Sequence, residues 1–192
     1  MDGTAGGSNR DQPAAFRLTG RSRPRRRRGR TPAPRGTPLR AAGRRIIVTL
    51  TAKALIGVDA ATGELLWRHG WKPGTGIHPV SPVCEDGRIY VTSGYGGERG
   101  EMLELAEDGR SITKKWADSK LDCHHGGVIV HKGHVYGASD RNRPGQWICL
   151  DLETGQVAAE TPAVDKGSIA FADGRLYIRH GSALLAYDVK AE

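Results

Sequence analysis

The run Asp122-Cys123-His124-His125-Gly126-Gly127 is the densest set of metal-ligating side chains in the chain. His124 stands nine residues ahead of Gly133, and the same offset from Gly87 and Gly174 reaches His78 and Asp165. Two imidazoles and a carboxylate brought together would suit a divalent metal such as zinc or copper, or a polar ligand. His125 is the alternative to His124 in that set. Cys123, His124 and His125 alone make a poor tetrahedral set, because neighbours in an extended chain point to opposite sides. Other chemistry is weaker. Ser93-Gly94-Tyr95-Gly96-Gly97 is glycine-rich but lacks the GxxxxGK[ST] spacing and a following helix, so it reads as a loop between strands. Ser139 to Gly145 reads as the matching loop in the next unit. Cys84, Cys123 and Cys149 contain no CxxC pair, and Cys84 and Cys149 fall on strand positions as small buried hydrophobes. No residue is assigned a catalytic role.

A metal or ligand set of this kind needs a scaffold that places the three glycines equivalently, and the chain repeats itself. The pattern apolar-x-apolar, polar residues, Gly, x-apolar-Tyr-apolar occurs at Val83–Val91, Ile129–Gly137 and Ala170–Ile178. A second pattern interleaves with it at Leu55–Trp67, Met102–Trp116, Trp147–Val157 and Leu184–Asp188. Gly63, Gly109 and Gly155 recur at intervals of 46 residues. Alternating apolar positions over four to six residues predict strands buried on one face. Asp-Gly, Lys-Gly and Thr-Gly supply the positive φ that tight hairpins require. Each unit therefore predicts one four-stranded antiparallel propeller blade. The expected fold is all-β, a partial β-propeller with blades at about 46–69, 80–116, 127–160 and 167–190. Trp67, Trp116 and Trp147 are expected as pegs between blades, each indole N–H needing an acceptor. The first unit shows no innermost strand and the fourth ends after three, which gives roughly 14 strands, or three and a half blades. Open blade edges expose unpaired backbone groups. The expectation is a piece of a longer propeller, or a chain that self-associates with another copy.

The strings Leu55-Ile56-Gly57-Val58-Asp59-Ala60-Ala61-Thr62-Gly63-Glu64-Leu65-Leu66-Trp67 and Trp147–Gly155 resemble the repeat of PQQ-like (pyrroloquinoline quinone) β-propeller proteins. The superfamily takes in the quinoprotein alcohol dehydrogenases and the BamB-like outer-membrane assembly lipoproteins, and the resemblance covers about residues 46–189. For the dehydrogenases it implies adjacent cysteines in a disulfide, a calcium site with acidic and amide ligands, and a catalytic Asp. Here no two cysteines are adjacent, and Asn occurs only at Asn9 and Asn142, so that pattern does not map. PQQ as a cofactor is implied by resemblance alone. The expected function is a non-catalytic binding or scaffold module that takes a protein or small ligand at the channel mouth. The alternative is part of a PQQ-dependent, quinoprotein-type oxidoreductase.

The chain has 192 residues and a net charge of +8, but the charge is uneven. Residues 1–45 carry 13 Arg and two Asp, while residues 46–192 carry 16 basic and 19 acidic side chains. The repeat region is therefore mildly acidic, which argues against a specific nucleic-acid platform. Residues 1–45, rich in Arg, Pro and Gly, cannot bury enough apolar surface to offset ordering and are expected as a disordered tail. The run Arg25-Arg26-Arg27-Arg28-Gly29-Arg30 would hold polyanions without specificity. Arg44-Arg45 before an apolar stretch is rejected as a twin-arginine signal, because Lys53 interrupts it and the repeat claims the same residues as strands. No stretch is long and apolar enough to span a membrane as a helix. The resemblance implies a periplasmic or exported protein, whereas the start taken literally gives a cytoplasmic one.

Overall fold

Alternating apolar residues become strands wherever a turn residue lets the chain double back, and the chain is built from little else. The computed structural model describes residues 38–71, 77–95, 100–139, 145–161 and 165–189. Three four-stranded sheets follow one another in simple up-and-down order. They are β1 (Pro38–Ala41) to β4 (Leu65–Gly70) through β2 (Arg44–Thr51) and β3 (Ala54–Asp59); β5 (Val83–Glu85), β6 (Arg88–Thr92), β7 (Gly100–Leu105) and β8 (Ile112–Asp118); and β9 (Val128–His131), β10 (His134–Ser139), β11 (Gln146–Asp151) and β12 (Val157–Thr161). A three-stranded sheet of β13 (Ser168–Ala172), β14 (Arg175–His180) and β15 (Ala183–Asp188) completes the described residues. All pairings are antiparallel, and β9 lies beside both β5 and β13, so the first strands of the sheets gather on one side. The architecture is all-β, a partial propeller. No helix of the described residues is long and apolar enough to cross a membrane.

One prediction needs correcting. Residues 38–45 are not tail: Pro38–Ala41 forms β1, and Arg44 begins β2. The first sheet thus has the innermost strand that the sequence seemed to lack, giving 15 strands among the described residues. Leu39 is buried and pairs with Ile46 in register, which holds the strand in place. Its turn, Ala42-Gly43, has φ of 48° and 75°, the same conformation as Asp86-Gly87 at 47° and 79°. Both are two-residue turns with left-handed central residues, whose twist matches that of the flanking strands. The Arg25–Arg30 run lies outside the described residues.

The second repeat pattern closes the hairpins between third and fourth strands. Asp59 Oδ1 accepts the amides of Ala61 at 2.8 Å and Thr62 at 3.1 Å, while Gly63 donates to the Asp59 carbonyl at 2.9 Å. Asp151 repeats this with Glu153, Thr154 and Gly155. A register shift of one residue accompanies each such hairpin, at Gly57/Val58, Met102/Leu103 and Cys149/Leu150. The bulge increases local twist.

Apolar residues collect in three cores, each shared by two neighbouring sheets. Ile46, Leu55 and Trp67 meet Ile89, Val91 and Leu103 between the first and second. Tyr90 and Met102 meet Val135, Ile148 and Leu150 between the second and third. Tyr136, Trp147 and Cys149 meet Leu176, Ile178 and Tyr187 between the third and fourth. The tryptophans behave as pegs: Trp116 Nε1 donates to the Leu152 carbonyl of the next sheet, and Trp147 Nε1 to the Asp165 carbonyl, both at 3.1 Å. Trp67 is buried in the first core, but its N–H meets no acceptor among the described residues.

Candidate functional site at the channel mouth

The segments that enter the second, third and fourth sheets run over the end of the array opposite the two-residue turns. They carry His78, His124 and Asp165 at matching places, shortly before β5, β9 and β13. Thr92 and Gly94, at the end of β6, fasten the segment entering the third sheet. Thr92 Oγ1 donates to the Leu121 carbonyl at 2.5 Å, and Gly94 N to the Cys123 carbonyl at 3.0 Å. Asp122 is buried below, accepting Ser139 Oγ at 2.6 Å. A Cβ on Gly126 would lie 2.0 Å from the Gly167 carbonyl oxygen, so only a glycine lets the two segments touch there.

Within this frame an aromatic cluster forms. His124 stacks on Tyr95 with ring centres 4.6 Å apart and planes 23° from parallel. Its Nε2 lies 2.7 Å from the Gly94 carbonyl, an acceptor that fixes the proton on that nitrogen. His125 is exposed, and its Nε2 lies 2.7 Å from the Tyr95 hydroxyl. A Cβ on Gly94 would fall 1.9 Å from His124 Cδ2, so the ring fits only over a residue without a side chain. Beside the cluster opens a cavity of about 230 Å³, with Cys123, His124, His125, Lys166 and Ser168 among its walls. Burial pushes the Cys123 thiol up to about 11, so it presents a neutral S–H there, donated to the Gly127 carbonyl at 3.4 Å. The Ile77 carbonyl accepts Ser93 Oγ at 3.4 Å, and its side chain is 50% exposed. A larger groove of about 900 Å³ runs along the inner strands, past Pro79, Val83, Val128, Ile129 and Phe171.

The structure does not gather His78, His124 and Asp165 into one ligand set. Among the described residues no group of three His, Cys, Asp or Glu side chains is placed to hold a metal ion. Equal offsets from the turn glycines give equal places along the chain, but the three side chains meet different surroundings. His124 turns to Gly94. Asp165 Oδ1 accepts the amides of Gly145 at 2.8 Å and Lys166 at 2.7 Å, serving as a loop clamp. Both ring nitrogens of His78 are buried, with no hydrogen-bond partner among the described residues. The alternative ligand, His125, belongs with Tyr95. Tyr95 itself was not singled out from the sequence, where it sits in a glycine-rich loop; the glycine that admits the His124 ring was the available sign. Cys84, Cys123 and Cys149 are free thiols on separate segments, so the adjacent-cysteine disulfide that the resemblance implies for the dehydrogenases is not formed by them.

Comparison with known proteins agrees with the repeat. The family described as outer membrane protein assembly factor BamB matches residues 25–161, most of the chain. The chain belongs to this family of PQQ-repeat propellers. Among solved structures, the computationally designed Ika8 protein superposes with a TM-score of 0.52 at 14% identity, over 75% of this chain and 43% of that one. BamB from Moraxella catarrhalis gives a TM-score of 0.47 at 15% identity, over 78% of this chain and 48% of that one. Family membership thus comes with a shared fold, and the chain spans less than half the length of either structure. No curated protein matches it.

Proposed function

We propose that this chain is a non-catalytic binding module, facing the periplasm, that holds an extended segment of an outer-membrane protein precursor at the channel mouth. The family's description supplies the class of client. The observation that carries the reading is the Tyr95–His124–His125 cluster, set beside a cavity of about 230 Å³. Rigid rings with one polar edge give apolar contact area and a directed hydrogen bond at low entropic cost, the usual chemistry of a recognition surface. A pocket of this size takes one or two side chains, while the longer groove accommodates the flanking backbone.

The test is fluorescence anisotropy with labelled peptides from the strands of an outer-membrane β-barrel, using the whole chain. Saturable binding is expected, weakened about tenfold by Tyr95→Ala, a difference of about 1.4 kcal/mol. Absence of saturation, or equal binding by the variant, would remove this reading. Adding PQQ with calcium in the same assay is the arm that would favour the oxidoreductase alternative, through a quinone absorbance that co-elutes with the protein.

A further inference from the structure

We infer that the cavity beside the Tyr95–His124–His125 cluster is a carboxylate pocket, which takes an acidic side chain of the bound segment. The inference deepens the proposed client reading and rests on it for the chain that carries the carboxylate. Its ground is the charge of the walls. Residues 46–192 hold 19 acidic against 16 basic side chains. Yet no Asp or Glu stands among the described residues that line the cavity or the longer groove. Lys166 lines the cavity and Arg179 the groove. Cys123 adds no negative charge, since its buried thiol keeps its proton and donates it to the Gly127 carbonyl at 3.4 Å. The acids that adjoin the walls in sequence are engaged elsewhere: Asp122 accepts the Ser139 hydroxyl at 2.6 Å, and Asp165 accepts two backbone amides. A concave site lined by one sign of charge draws in the other.

The pocket is held open by its own backbone. Its walls come from two neighbouring segments, one ahead of β9 and one leading into β13, together with Ala138 of β10. Ile169 N donates to the Gly126 carbonyl at 3.1 Å and laces the two segments together. Asp165 Oδ1 takes the Lys166 amide at 2.7 Å and the Gly145 amide at 2.8 Å, so the backbone that carries the lysine is clamped. His125 supplies a second donor. A Tyr95 hydroxyl that donates to its Nε2 at 2.7 Å leaves the ring proton on Nδ1, so an N–H remains to be given. Ser168 adds a hydroxyl. An ammonium, a ring N–H and a hydroxyl together suit the two oxygens of a carboxylate, and bonds to an ionised acceptor are the strong ones. Ala138 and Gly126 offer apolar surface to a short methylene stem. His125, Gly126 and Ser168 border both the cavity and the groove. A segment lying in the groove therefore passes the pocket and sends a side chain, not a chain end, into it.

Nuclear magnetic resonance of the whole chain, titrated with two blocked amino acids, reads the outcome. N-acetyl-glutamate methylamide is expected to shift the amide signals of Gly126, Gly167 and Ser168 saturably. N-acetyl-glutamine methylamide, its uncharged counterpart, is expected to bind at least about fivefold more weakly. Lys166→Met should remove that preference and leave the glutamine probe unchanged, while Lys166→Arg should keep it. A merely structural role for Lys166 would move both probes alike and would overturn the inference. Equal affinity for the two probes in the wild-type chain would do the same, as would the absence of saturable shifts with the glutamate probe. Tighter binding of N-acetyl-glutamine with its terminal carboxylate free would also overturn it, by assigning the pocket to a chain end. The client reading is judged apart from this. Barrel-strand peptides that bind equally with Glu or Gln in the anisotropy assay keep the client and sink the carboxylate pocket. Saturable binding of the glutamate probe without any peptide binding removes the client and keeps the pocket.

Discussion

Gly94 is the residue on which the mouth of the channel turns. A methyl group there would sit 1.9 Å from His124 Cδ2 and 2.7 Å from the Asp122 carbonyl oxygen, distances that no real Cβ tolerates. Gly94→Ala should therefore expel the His124 ring from its stack on Tyr95. Peptide binding is expected to fall at least tenfold, with about 1–2 kcal/mol lost in a urea melt; anisotropy and the urea midpoint check the pair. Near-native binding would show that the stack is dispensable. At this scale the sequence was a partial guide. His124 and His125 could be picked out by type and spacing, but a shared offset does not say where a ring turns. That is decided by the nearest unsatisfied acceptor, and for His124 the Gly94 carbonyl lies closer than any fellow ligand.

Among elements, the hairpins closed by Asp59 and Asp151 are the most strictly repeated. Amide hydrogen bonds from Ala61 and Thr62 hold the Asp59 carboxyl below its ordinary value. Burial pulls Asp151 upward, but amide and hydroxyl hydrogen bonds from Thr154 and the Glu153 amide outweigh it, so it too is lowered. A lowered acid stabilises the fold above the ordinary carboxylate range, and the contribution disappears as pH falls through the folded value, below about pH 4. Asp151→Ala should cost about 1 kcal/mol at pH 7. The gap between variant and wild type in urea should narrow as the buffer is taken from pH 5 to pH 3; a constant gap would refute the linkage. These hairpins were legible because Asp-x-x-Thr-Gly states its own geometry. β1 was not. Ala42 replaces the Asp or Lys of the other turns, and Arg40, Arg44 and Arg45 hide the buried pair Leu39 and Ile46 within a run of charge. A non-glycine residue at φ 48° is unfavourable by roughly 1 kcal/mol without a polar side chain to help, which is why sequence patterns expect Asp or Asn there.

For the whole molecule, stability resides in junctions. Each core is built by two sheets and shares no residue with the next. Ile46→Val, in the first core, and Ile178→Val, in the third, should each cost about 0.5–1.5 kcal/mol. Combined, they should sum to within about 0.5 kcal/mol, because no partner is common to both. Chemical denaturation of the two single variants and the double one measures this, and a large coupling would mean the cores communicate. The succession of four antiparallel sheets was readable from the glycine spacing, since a hairpin fixes its turn residues, although the strand count fell short by β1. The alignment of sheets was not, because it depends on which side chains interlock. A chain whose cohesion lies between successive neighbours has no central keystone. Pulled from its two ends, it should give way link by link, in a staircase of small force drops, the weakest seam first.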